Sequence, residues 1–540
     1  DLNLLGFLNT KLPRVFLQIL NPTLVYNVGD VAKIPYEKIN RETIKKLSEF
    51  NIQISKKDWD SRETSWHFEK SPLINDSVAL SQAYQTWQEQ VSEDFFQLHS
   101  NEEELNRIFV DIYGLQEELT PEVALKDITI LQEELNKNDL EALESTFREQ
   151  GAAAVSLPIN KAEVISQFLS YGIGVFLGRY RLDKPGLNIA HPNPTEEETS
   201  EYVVIRDKGL GADAQQSIFN YICHEYKEFS RSTGLAKIHG IGNRNLSNNQ
   251  SVSEGGVVWS EQSIETSSGI HSEQHSRGAS ERNKGVSALS EDSQRLTGGG
   301  RDTTGDSSAS KLSGEGSDAT NAGENNRNFQ NAEWLKQQAE ELIANLQSLI
   351  PIKIDEDGIL PLMGEDCAFP DDALVRAKDL VHAVWGEGSL TENINFIHDA
   401  LGMDLHKWLT EKFWGYHTSM YKKKPIYWLF SSNVKKPNNA AFKVLVYMHR
   451  MDKYTVQKIQ RSYLHPHQEF IKREIEKLSD NEENLSKQEI KRLEQLRNWE
   501  LECRDYNEVL KELANQQIEF DLDDGVDANY AKFEGAVAVI

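Results

Sequence analysis

The sequence has little that could tie the chain together covalently. Its 540 residues include three cysteines, Cys223, Cys367 and Cys503, far apart and without CxxC spacing. That argues against a disulfide framework or a thiolate zinc site and fits a reducing cytoplasm. A bilayer-length apolar run is missing too. The most apolar stretch, ISQFLSYGIGVFL (165–177), is too short to span a membrane, contains two glycines and reads as a buried helix. No basic-then-apolar leader opens the chain. Positive charge is also scarce, with 58 Lys+Arg against 85 Asp+Glu and a net charge of -27. Spread evenly, such a field would repel a phosphate backbone.

What is present suits large soluble domains. With 38% hydrophobic residues and a mean hydropathy of -0.57, the length is ample for sizeable cores and for three or four domains. The chain starts at Asp1 and enters LNLLGFLNT at once, which suggests a fragment or a clipped chain. Residues 1 to about 40 read as a short helix, a strand around Leu24–Tyr26 and a turn at Gly29–Asp30. Apolar residues at helical spacing in YQTWQEQVSEDFFQL and EELNRIFVDIYGLQEEL make 40–180 mainly helical. Thr120-Pro121-Glu122 and the Asn-Lys-Asn-Asp run at 136–139 look like helix starts. From 232 to 328 the composition collapses to Ser, Gly, Asn, Glu and Thr, too polar to offset chain entropy, so this stretch should be disordered or a loose insert. EWLKQQAEELIANLQSLI then reads as a helix. IPIKI, PIYWLF and FKVLVYMH read as strands, the last two joined by a polar turn. Residues 467–517 read as a helical hairpin, with Ser486 to Glu489 as a capping box. The tail, IEFDLDDGVDANYAKF, reads as a short strand and turn. The fold class is mixed α/β and helix-rich. Its parts are a helical scaffold (41–231), an α/β recognition module (329–466) and a C-terminal helical hairpin with tail (467–540).

Charge is segregated. Residues 405–475 hold 14 Lys+Arg against 4 Asp+Glu, a local surplus of +10. Lys422, Lys423 and Lys424 lead into the first strand of the hairpin, Lys435 and Lys436 lie in its turn, and Arg450, Lys453 and Arg461 follow the second strand. Such cations suit phosphates and Tyr427 suits a base, while the alternation of Tyr427 and Trp428 along a strand puts at least one in the core, and Trp428 reads as core. Arg179 fits either a carboxylate or a phosphate. Trp59 and Trp66 read as packing anchors of an extended linker, and His449 as a satisfied strand-end histidine. His465-Pro-His467 has no third ligand nearby, and Asp521, Asp523, Asp524 and Gly525 lack the later glutamate of a calcium loop, so no metal is expected. Gly172-Ile-Gly174 and Gly209-Leu-Gly211 read as packing or turn glycines rather than cofactor loops.

Eight segments run in a familiar order: NPTLVYNVGDVAKIPY (21–36), SKKDWDSRETSW (55–66), NEEELNRIFVDIYGLQEELTPEV (101–123), SYGIGVFLGRYRLDKPGL (170–187), DEDGILPL (355–362), YKKKPIYWLFSS (421–432), VYMHRMDKYTV (446–456) and DLDDGVDANYAKF (521–533). Together they make the chain resemble the C-terminal half of PglX-type adenine-specific DNA methyltransferases of BREX phage-defence systems. The resemblance implies that residues 1–40 end the methyltransferase domain and that the rest grips double-stranded DNA. It also implies S-adenosylmethionine as the methyl donor, bound by an N-terminal domain outside this chain. Other BREX proteins and phage-encoded inhibitors are implied partners, with a cytoplasmic setting and no membrane. Two departures stand out. The Asn-Pro-Pro-Tyr motif that holds a flipped adenine is missing, with Asn21-Pro22-Thr23 only an echo, so this chain alone should not methylate DNA. The 232–328 insert has no counterpart in the resemblance. Two alternatives stay open: the recognition half of a type IIG restriction–modification enzyme, and a non-enzymatic interaction subunit of a defence complex.

Overall fold

Among the described residues helices predominate, and their ends follow local chemistry. A computed structural model describes residues 1–23, 25–38, 41–202, 352–364, 367–480, 485–519 and 521–540. Helices of seven residues or more are numbered here. Helix α1 (Leu2–Leu8) starts where the Asp1 carboxylate accepts from the Asn3 and Leu4 amides, and α2 (Lys11–Leu20) follows. After α3 (Glu42–Asp60) comes α4 (Leu80–Tyr113), one continuous helix through both periodic segments. It stops at Gly114, whose φ of 65° is a left-handed cap that glycine adopts without strain. Helices α5 (Lys137–Gln150) and α6 (Lys161–Phe176) are capped by Asn136 and Asn160. Strand β1 (Ile359–Pro361), α7 (Ala373–Trp385), α8 (Leu390–Leu401) and α9 (Phe413–Met420) lead to β2 (Tyr427–Ser431) and β3 (Lys443–Tyr447). The expected hairpin is α10 (His465–Ser479) and α11 (Lys487–Gln516), and its capping box between Ser486 and Glu489 is formed. Helix α12 (Gly525–Ala531) closes the chain.

The strands form one antiparallel sheet in the order β1-β3-β2. Its alternate residues enter two different cores. Leu360, Tyr427, Leu429, Leu445 and Tyr447 face a cluster built from α6, α7 and α8. Ile359, Trp428, Phe430, Val444 and Val446 face a second cluster built from α10, α11 and the C-terminal tail. The sheet is therefore a middle layer, covered on both faces, and the helix-rich mixed α/β class holds. Two smaller clusters lie under α3–α5 and between α1, α2 and α4.

Several local expectations change. Val25 and Tyr26 are not in a strand, and Gly29–Asp30 sits in a one-turn helix (Val28–Val31) capped by Asn27. Pro121 starts no helix, because the chain runs extended there to reach the 3-10 turn Leu125–Asp127. Of IPIKI, Ile352 makes only an isolated bridge to Tyr202, and the sheet partner is Ile359–Pro361 instead. The tail forms α12, with Asn529 donating back to the Asp521 and Gly525 carbonyls. Asp521 caps the preceding turn and Gly525 has a φ of 79°, in keeping with a cap rather than a calcium loop. The 232–328 insert, the helix expected after it, Gly209-Leu-Gly211 and Cys223 lie outside the described residues.

Candidate nucleic-acid interface

Helix α9 ends in a way that costs backbone energy. Its last turn is closed by the Lys422 amide donating to the Ser419 carbonyl (3.0 Å) and the Lys423 amide to the Thr418 carbonyl (2.7 Å). This geometry requires left-handed residues, and glycine usually supplies them. Here Lys422 and Lys423 do, with φ of 50° and 65°. Each such residue costs about 1 kcal/mol or more. Both side chains are exposed, as is Lys424, which lies 4.0 Å from Asp527 of α12. Lys422 also acts on Glu133 electrostatically.

The sheet register divides the basic residues into two groups. Tyr427 pairs with Tyr447, so Lys422–Lys424 and the segment 448–453 share one end of β2 and β3. Ser431 pairs with Lys443, which puts Lys435 and Lys436 at the other end. Lys435, Lys436, Lys453 and Arg461 are exposed. Lys443, by contrast, is buried and donates to the Thr410 carbonyl, and burial lowers it to about 8.

Two of the DNA-contact residues proposed from the sequence, Tyr427 and Arg450, are not surface groups, and Trp428 is core as expected. Tyr427 is fully buried, stacked on His417 at 4.7 Å, so it packs the core and cannot stack on a base without unfolding the sheet. Trp428 is equally buried on the opposite face, its indole N–H donating to the Pro425 carbonyl. Arg450 is also buried. It donates to the carbonyls of Leu177 (3.2 Å), Asp355 (2.6 Å) and Glu356 (2.6 Å), pinning three segments together. Arg179 reaches neither a phosphate-facing surface nor a simple ion pair. Its guanidinium donates to the Tyr421 hydroxyl (2.7 Å) and the Glu63 carbonyl (3.5 Å), over the rings of Tyr180 and Tyr421.

Arg179 belongs to a buried polar cluster beneath the lysine turn. Burial pushes the Glu63 carboxyl above the ordinary range, while Arg179 draws it down. Neither Glu63 oxygen has a hydrogen-bond partner of full geometry, although the Ser170 and Tyr180 hydroxyls lie near enough to influence it. Burial, reinforced by Arg179, holds His417 well below its usual range, and its Nε2 accepts from the Tyr427 amide (3.1 Å). Glu63, Phe68, Glu133, Gln167, Tyr171 and Met420 line a small cleft beside this cluster.

The two tryptophans of the SKKDWDSRETSW segment face solvent, against the expectation of packing anchors. Trp59 is 64% exposed and Trp66 is 99% exposed, so neither is a packing anchor. The anchors of that stretch are its neighbours Glu63, Ser65 and Phe68. His449 is partly buried, and desolvation lowers its pKa, with Arg179 adding to the effect. His465 bonds to Asn507 and His467 to the Ala441 carbonyl, so the two rings serve different partners.

A methyl-donor loop does not fit the glycines that are described. A Cβ on Gly172 would stand 2.8 Å from Leu380, and one on Gly174 would stand 2.7 Å from Tyr180 and 2.9 Å from the Tyr427 hydroxyl. Both glycines are used up by helix packing. Among the described residues no helix is long and apolar enough to cross a membrane.

No family model matches the chain. Two curated proteins are similar along nearly all of it. The adenine-specific methyltransferase PglX of Lacticaseibacillus casei (strain Zhang) is 27% identical over 557 residues, covering 99% of this chain. The adenine-specific methyltransferase BrxX of Escherichia coli O9:H4 (strain HS) is 26% identical over 553 residues, again covering 99%. The chain spans about a third of the length of these relatives, 31% and 32%. It is thus similar, from end to end, to about a third of two adenine-specific methyltransferases.

Proposed function

We propose that the chain is the DNA-holding part of a BREX-type adenine-specific DNA methyltransferase. The carrying observation is its end-to-end similarity to about a third of two such enzymes. The exposed lysines around the sheet support it. Residues 1–40 then close the methyltransferase domain, 41–231 scaffold the 329–466 module, and the 467–540 hairpin braces it. The module and scaffold hold a duplex while an adenine enters a catalytic domain that also binds the methyl donor. Double-stranded DNA is the partner, with other BREX proteins and phage inhibitors as further ones, in the cytoplasm.

The purified chain should bind duplex DNA with an affinity that falls steeply as salt rises, since each neutralised phosphate contributes about -0.9 to the log–log slope. It should transfer no labelled methyl group to DNA. Reversing Lys422, Lys423 and Lys424 to Glu should weaken binding and flatten that slope. Unchanged affinity in the triple variant, or methyl transfer by the chain alone, would refute the reading.

A further inference from the structure

Trp66 is held in an unusual position. A tryptophan normally contributes by burying its ring, yet this one is 99% exposed. The loop that carries it is firmly fixed. The Ser65 hydroxyl donates to Asp60 (2.7 Å), the Ser65 amide to the Arg62 carbonyl (2.9 Å) and the His67 amide to the Ser65 hydroxyl (3.2 Å). Arg62 is clamped by Asp58 (2.7 Å) and Glu134 (2.8 Å). Phe68 packs edge-on against Tyr171 and Tyr180. Buried Glu63, Ser65 and Phe68 on both sides of Trp66 therefore fix the backbone, and the ring projects into solvent beside the exposed Thr64 and His67.

The second observation is what stands beside it. Arg179 bridges the Glu63 carbonyl, three residues before Trp66, to the Tyr421 hydroxyl, one residue before Lys422. The cleft takes Thr64 from one loop and Met420 from the other. One buried guanidinium thus ties the tryptophan loop to the turn in which two lysines hold a left-handed backbone. An exposed ring and exposed ammonium groups carried on two linked loops match nucleic acid, because bases offer stacking faces and phosphates flank them.

We propose that Trp66 stacks on or wedges between bases of the duplex gripped by Lys422, Lys423 and Lys424, and that Arg179 sets the spacing between ring and cations. This rests on the DNA-holding reading. Such a wedge locally unstacks a base step, and pyrimidine–purine steps yield most easily. It gives a DNA-holding surface a means to loosen the stack.

The experiment uses the whole 540-residue chain and a mixed-sequence duplex carrying 2-aminopurine at pyrimidine–purine steps. The wild type should bind the duplex and change the 2-aminopurine emission. Trp66→Ala should weaken binding about tenfold, since stacking on one base carries an effect of that order, and should abolish the emission change. Its salt slope should stay at the wild-type value, because no phosphate contact is lost. Trp66→Phe should keep most of both signals. The thermal midpoint of Trp66→Ala should match the wild type, since the ring packs on nothing. If the wild type binds and the lysine reversals weaken it while Trp66→Ala leaves affinity and emission intact, the Trp66 inference falls and the DNA reading stands. If the wild-type chain binds no duplex, both fall. If Trp66→Ala binds DNA normally but loses retention of a BREX protein, the ring is a protein contact and the inference is wrong.

Discussion

Replacing Arg450 by Met should cost the fold about 4 kcal/mol and leave the salt dependence of DNA binding unchanged. The guanidinium donates to three backbone carbonyls from two distant segments, Leu177 and the Asp355–Glu356 pair, 273, 95 and 94 residues away. A hydrogen bond with a charged donor contributes about 1.5–3 kcal/mol, so three set a lower sum near 4.5 kcal/mol. The methionine recovers part of it by filling the space of the aliphatic stem against Gly358, and water recovers part at the Glu356 carbonyl. Urea unfolding gives the comparison directly, provided the m-value is the same in both proteins. The thermal midpoint should fall by roughly 4–5 °C. A variant within about 1 kcal/mol of wild type, with a salt slope flattened by about one unit, would refute the reasoning and return Arg450 to the DNA surface.

Other outcomes follow from packing and titration. Gly174→Val should destabilise by about 1–3 kcal/mol, because the new side chain would run into Tyr180 and the Tyr427 hydroxyl; differential scanning calorimetry reads it, and an unchanged midpoint would contradict the close packing. His467 is buried against the Ala441 carbonyl, and burial lowers it to about 4 from an ordinary 6.5. The unfolded chain therefore takes up its proton first as the pH falls, so this contribution to stability is present above the unfolded value and lost on the way down to about 4. Between neutrality and about pH 5 the loss should reach roughly 2 kcal/mol. Urea melts across that window, compared with His467→Phe, isolate it; identical pH profiles would show that His467 does not titrate as argued.

The sequence revealed elements whose chemistry is local. The β2–β3 pair shows as β-branched and aromatic runs around a polar turn, α6 as an uninterrupted apolar helix, and α11 through the reciprocal Ser486–Glu489 cap. It did not reveal which side chains face water, because that depends on partners far along the chain. Tyr427 and Trp428 alternate as any strand pair does, yet both are core, since α6 and α7 cover one face and α10 and α11 the other. Arg450 looks like any arginine after a strand until Leu177 and Asp355 come within reach. Trp59 and Trp66 carried the opposite error: large aromatic rings suggest burial, and here Glu63 and Phe68 hold the loop in their place.

Burial also changes how the local surplus of +10 can act on DNA. Lys443 and Arg450 are taken out of it, and the register places Lys422–Lys424 and Lys435–Lys436 at opposite ends of β2 rather than in one patch. Five residues of strand plus the flanking turns separate the two groups by something on the order of 15–20 Å. Along one DNA strand, phosphates recur about every 3.4 Å, so the groups reach backbone positions roughly five or six nucleotides apart. Groups that far apart, with no shared partner, should act independently. Reversing Lys435 and Lys436 should therefore weaken binding by its own factor. Combining it with the Lys422–Lys424 reversal should multiply the two factors and add the two changes in salt slope. A combined variant that binds no more weakly than its weaker-binding parent would mean that only one end of the sheet touches the duplex, and the second lysine group would then be ordinary solvated surface.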